Sequence, residues 1–155
     1  MTVARIAVVG IGNTIAGDDG AGVVVAERLA ERWSACESVF VTTLPGDLFA
    51  VAELLDRARE FLFIDAVAGD RPGEIRVLPS APRAFSPSLH QTDIGTVMAA
   101  LQRLAVVDPF PTWQVWGITI EPPEELGEGL SPEVSAAAAE LERQIVEHVD
   151  GLVGG

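Results

Sequence analysis

The sequence predicts a three-layer α/β/α domain with a mostly parallel sheet, and three observations carry that expectation. Apolar runs without polar alternation recur along the chain, as in strands buried on both faces. Amphipathic stretches at helical spacing separate them. Glycine or proline punctuates nearly every junction, so strands alternate with helices through short connections.

Val3 to Val9 is the first such run, and it enters a loop holding Gly10, Gly12 and Asn13. Asp18 and Asp19 follow at once. A helix is expected from about Gly20 to Trp33, with Val25, Ala26, Leu29 and Trp33 on its buried face and Glu27, Arg28, Glu31 and Arg32 opposite. Ser38 to Thr43 is a second strand with a β-branched bias. Leu44-Pro45-Gly46 turns the chain, and Asp47 caps a helix through Leu48, Val51, Leu54 and Leu55.

Phe61 to Ala66 is a third buried strand, ending in Asp65. Gly69 and Pro72-Gly73 break the chain. Glu74 to Leu78 alternates and follows a short, helix-free connection, so it reads as an antiparallel edge strand. Pro79 to Pro87 is a proline-rich loop. Ser88 and Gln91 stand at capping-box spacing before a helix whose buried stripe is Ile94, Val97, Met98 and Leu101. Thr112 to Ile120 is the fifth strand, and Glu121 to Gly129 a polar loop. Ser131-Pro132-Glu133 opens a last helix with Val134, Ala138, Leu141, Ile145 and Val149 inward. One domain is expected over residues 1–150, with 151–155 a loose tail.

A chain of 155 residues buries roughly 70% of its unfolded surface, enough for a core without staples. No apolar run reaches the ~20 residues of a membrane span, and no signal peptide is evident. A single cysteine, Cys36, excludes an internal disulfide framework, fits a reducing compartment and reads as a small buried residue. The net charge is −13, and all ten basic residues are arginines. Clustered Lys and Arg for a nucleic-acid groove are missing. The balance favours a cation, a neutral ligand or a basic protein partner, or serves solubility.

Ligands of such sheets bind beyond the carboxyl ends of the strands. That rule selects Asp18 and Asp19 after the first strand, Asp65 at the end of the third and His90 at a helix start. Neighbouring strands lie ~5 Å apart, so Asp19 and Asp65 converge if the first and third strands pair. Two carboxylates and an imidazole form a mixed oxygen and nitrogen set suited to a transition metal. Each residue also has an ordinary reading. Asp18 or Asp19 caps a helix, Asp65 accepts loop amides, and His90 is a helix-start histidine.

Other chemistries fail on particular residues. The loop Gly10-Ile11-Gly12-Asn13-Thr14-Ile15 has Ile15 where a dinucleotide fingerprint needs its third glycine. A chain without lysine has no P-loop lysine. There is no GxSxG elbow and no HExxH pair, and no residue declares itself a nucleophile.

The string GIGNTIAGDDGAG, followed in order by FLFIDAVAGDRPGEI, SLHQTDI and GLSPEV, resembles the hydrogenase maturation protease family. These endopeptidases remove a C-terminal extension from the large-subunit precursor of nickel–iron hydrogenases. The resemblance implies a phosphorylase/hydrolase-like mixed five-stranded sheet with one antiparallel strand. It implies that Asp19, Asp65 and His90 contact nickel, with Asp19 standing where glutamate is common in the family. The nickel would belong to the substrate, the hydrogenase large-subunit precursor, so cutting would follow metal insertion. It places Gly46 in a loop near the substrate cleft. No organic cofactor, nucleic acid or membrane is expected, and the location expected is cytoplasmic. Two other readings of the same rim remain: a conventional metallohydrolase with its own catalytic metal, and a non-catalytic nickel checkpoint protein.

Overall fold

The computed structural model describes residues 3–78, 93–121 and 126–154. Five strands, β1 (Ile6–Ile11), β2 (Val39–Leu44), β3 (Glu60–Ala68), β4 (Ile75–Leu78) and β5 (Thr112–Ile120), form one sheet in the order β2-β1-β3-β5-β4. β1 pairs in parallel with β2 and β3, and β3 with β5; β4 runs antiparallel to β5 at the edge. This is the mixed sheet expected, with the first and third strands adjacent.

Alternation along the central strands splits the interior in two. Ile6 and Val8 of β1, Leu62 and Ile64 of β3 and Ile118 of β5 pack under α1 (Ala21–Arg32) and α3 (Pro132–Val153). Val9, Phe61, Phe63 and Val115 face α2 (Ile94–Arg103) and a 3-10 helix at Leu48–Leu54. The stripes expected of α1, α2 and α3 are all buried. Apolar residues on both strand faces make the central strands read as unbroken hydrophobic runs.

Several boundaries and roles differ from the expectation. β1 starts at Ile6 and runs on through Gly10 and Ile11, because Ala4 bridges to Ala58 instead. β3 does not end at Asp65: it continues to Ala68, with Asp65 paired to Gly117. The segment after Asp47 is a 3-10 helix rather than an α-helix; Asp47 accepts the Phe49 N–H at 2.9 Å, and only Val51 and Leu55 of the expected stripe are deeply buried. Leu48 and Leu54 pack against the same core only in part. Asp93 caps α2, accepting the Thr96 N–H at 2.6 Å, so the helix opens after the Ser88–Gln91 stretch, which lies outside the described residues. Residues 151–153 are not a loose tail: α3 runs to Val153, and Leu152 and Val153 pack against the core. Cys36 is half-buried rather than fully buried.

The first loop is fixed by close backbone approaches. A Cβ on Gly22 would strike the carbonyl oxygens of Ile64 and Ile11, so only glycine lets α1 start against the ends of β1 and β3. Gly12, at φ +142°, brings its Cα against the Asp19 carbonyl. The chain thereby folds back at the top of β1, and the acids sit above the sheet.

Candidate active site

A cavity of about 440 Å³ opens at the carboxyl ends of β1 and β2. Its floor is Ile11, Leu44, Leu48 and Val97, and Asp19, Asp47 and Phe49 stand on its walls. The volume is in the range of small ligand sites. Asp19 lies in the 3-10 turn Gly17–Gly20 and is 6% exposed; its Oδ2 accepts the Asn13 N–H at 3.2 Å. The Asn13 side chain holds the loop from inside, its Oδ1 accepting the Ile15 N–H at 3.1 Å.

Asp65 is 2% exposed, and its Oδ1 accepts the Ala66 N–H at 2.8 Å. Strand parity puts its side chain on the face of Phe61 and Phe63, toward α2. The cavity, floored by Val97 of α2, lies on that face too. The turn carrying Asp19 contacts β3. Both acids thus lie toward the carboxyl ends of neighbouring strands, Asp19 in the turn after β1 and on the cavity wall, Asp65 within β3 on its α2 face but not among the residues that line the cavity. Burial of ionised carboxylates is tolerated where hydrogen bonds or a cation balance it.

Asp18 does something else. Its Oδ1 accepts the Ser131 N–H at 2.7 Å and its Oδ2 the Ser131 hydroxyl at 2.8 Å. A carboxylate there also meets the positive end of α3. Ser131 makes no side-chain cap of its own helix; its hydroxyl is given to Asp18. A second tie, between Gly17 and Gly127 at 2.8 Å and between Gly127 and Ile15 at 2.7 Å, fastens the same loop. Asp18 is therefore engaged on the α3 side, and Asp19 is the acid on the cavity wall.

His90 lies outside the described residues. Among the described residues no three His, Cys, Asp or Glu side chains form a metal-sized group. Gly46 does line the cavity, with open space around its Cα. Phe49 escaped the sequence reading, and Val97 was read there only as part of the buried stripe of α2, not as a cavity residue. Phe49 is 54% exposed at the cavity lip, and no periodicity marks a lone aromatic in a short 3-10 helix.

No protein-family model and no curated protein sequence matches this chain. Solved structures do. An endopeptidase from Escherichia coli matches with a TM-score of 0.75 at 25% identity, over 95% of this chain and 93% of that one. The [NiFe] hydrogenase maturation protease HybD from Thermococcus kodakarensis matches with a TM-score of 0.72 at 25% identity, over 94% and 98%. The hydrogenase maturating endopeptidase HybD from Escherichia coli gives 0.73 at 23% identity, over 95% and 93%. The structural neighbours of this chain are thus hydrogenase maturation proteases, and their fold is shared over more than nine-tenths of its length.

Proposed function

We propose that the chain is the endopeptidase that removes the C-terminal extension of a nickel–iron hydrogenase large-subunit precursor, and that Asp19, Asp65 and His90 recognise the nickel the precursor carries. The observation that carries this reading is the placement of Asp19 and Asp65. Two carboxylates are sunk at one rim, one on a cavity wall and the other on the adjacent strand. The four ordered motifs and the maturation proteases among the structural neighbours support it.

Carboxylate oxygens alone suit magnesium or calcium; adding an imidazole moves the preference toward nickel and its neighbours. The ion is part of the substrate, held there by thiolates, so the rim tests whether metal insertion is complete before cutting. Hydrolysis then adds one water across the scissile peptide bond, giving a mature carboxyl end and an extension with a new amino end. We place this activity in the cytoplasm, where a lone thiol such as Cys36 stays reduced.

The test is processing of nickel-loaded precursor by Asp65→Asn and Asp65→Ala. Cleavage should fall by about 100-fold or more, the scale on which one electrostatic group at a reaction centre acts. Undiminished cleavage by either variant ends the proposal. Stoichiometric zinc in the purified protein would favour a metallohydrolase with its own metal. Tight precursor binding by the parent chain without cutting would favour a checkpoint role.

A further inference from the structure

The two edges of the sheet are unlike. β4 is four residues long and carries Arg76, paired with Glu74 at 3.3 Å. A short, charged edge strand resists pairing with another chain. β2 is the opposite edge, with the sequence VFVTTL: six strand-forming residues, no charge, no proline and no glycine. In a chain with 21% charged residues, that edge lacks the usual protection.

Its outward-facing groups follow from the ladder. The Ile6 N–H donates to the Ser38 carbonyl at 3.2 Å, and Ile6 pairs with Val39. In a parallel ladder, alternate residues turn both backbone polar groups to the same side. Phe40 and Thr42 therefore face β1, while Val41 and Thr43 turn their N–H and C=O away from the sheet. The strand then passes through Leu44 and Pro45 directly into the wall of the cavity that holds Asp19.

We infer that β2 is the docking strand for the protein substrate: an extended segment of the precursor, bearing no acidic residues, adds beside Val41 and Thr43 as a sixth strand. This rests on the proposed protease function and specifies how its substrate is held. An added strand lies about 4.8 Å beyond β2, and its chain continues into the acidic cavity. Backbone bonds supply the affinity, and pockets for alternate side chains supply the preference. On the α1 face a hollow of about 180 Å³ beside Trp33, Cys36 and Val41 accepts a small apolar side chain. On the other face the Arg57 guanidinium lies 4.1 Å from the Phe40 ring centre and closes that side. The net charge of −13 disfavours a second copy of this chain on the same edge and favours a neutral or basic segment.

The probe is nickel-loaded precursor mixed with the parent protein, with amide exchange read before cleavage is complete. Amide exchange at Val41 and Thr43 should slow about tenfold or more on mixing, while the Phe40 and Thr42 amides, already bonded to β1, change little. Val41→Pro and Thr43→Pro each remove one outward donor at a position where an edge strand tolerates proline. Each should raise KM for the precursor about tenfold with kcat near the parent value. Precursor that binds, and is cut by the parent chain, without protecting Val41 and Thr43 overturns the docking strand and leaves the protease function standing. Precursor neither bound nor cut by the parent chain overturns both. Protection in the protein alone, with a doubled mass, gives the edge to a second copy and overturns the inference.

Discussion

Asp18 and Asp19 are adjacent in the chain, yet their carboxylates have separate tasks. Asp18 takes two hydrogen bonds from Ser131, and charge-assisted bonds of this kind contribute roughly 1.5–3 kcal/mol. Asp18→Ala should lower the free energy of unfolding by about 1–3 kcal/mol and leave processing per folded molecule near the parent level. Asp19→Asn should do the reverse: an almost unchanged melting curve, because the amide oxygen still accepts the Asn13 N–H, and loss of processing. Denaturant melts beside a processing assay check both; swapped outcomes would make Asp18 the working acid. The positions of Asp19 and Asp65 toward the carboxyl end of the sheet were legible in the sequence because acids following buried apolar runs fall there, although β3 runs on past Asp65 to Ala68. The duty of Asp18 was not legible, because its partner stands 113 residues away and no local pattern announces the pair.

At the scale of elements, α1 depends on a backbone contact that no larger residue permits. A Cβ at Gly22 collides with the Ile64 and Ile11 carbonyl oxygens. Gly22→Ala should therefore cost about 1–3 kcal/mol or more, lowering Tm by several degrees, whereas Gly46→Ala, with nothing near its Cα, should melt like the parent. Thermal scans of the two variants settle it. On α3, Arg143 bonds Glu140 at 2.6 Å and Glu147 at 2.8 Å. Its hydrogen bond holds the Glu140 carboxyl down from its usual 4.5 to about 2, and Glu140 raises the Arg143 guanidinium in turn. A depressed carboxyl stabilises the fold above pH 4.5 and loses that contribution as pH falls toward 2. The Tm difference between Arg143→Ala and the parent should accordingly shrink over that window, and it is small throughout because the pair is exposed. The elements most legible in the sequence were those decided by burial. β5 occupies the expected Thr112–Ile120, and α3 presents the expected stripe. Elements decided by local geometry were not legible. The 3-10 helix at Leu48–Leu54 and the extension of β3 past Asp65 depend on which neighbour receives each backbone group, and side-chain patterning is silent on that.

For the whole molecule the dominant electrostatic fact is the excess of 23 acidic over ten basic residues. Some of the arginines are used to join helices: Arg28 reaches Glu142 at 3.8 Å and Arg32 reaches Asp150 at 3.9 Å, both linking α1 to α3. These exposed pairs contribute little singly, and screening removes that little. The remaining acids repel one another in the compact state more than in the unfolded chain. The two effects respond to salt with opposite sign. Repulsion acts over many pairs at distances near the screening length, about 10 Å at 0.1 M, so it dominates. Raising sodium chloride from about 20 mM to about 200 mM should therefore raise Tm by a few degrees. The gain should be undiminished in Arg28→Ala, which has one fewer positive charge. A Tm that falls with salt would mean that the surface ion pairs outweigh the repulsion. The acidic excess would then act through the neighbourhoods of particular carboxylates, Asp19 and Asp65 among them, rather than through the field of the whole chain.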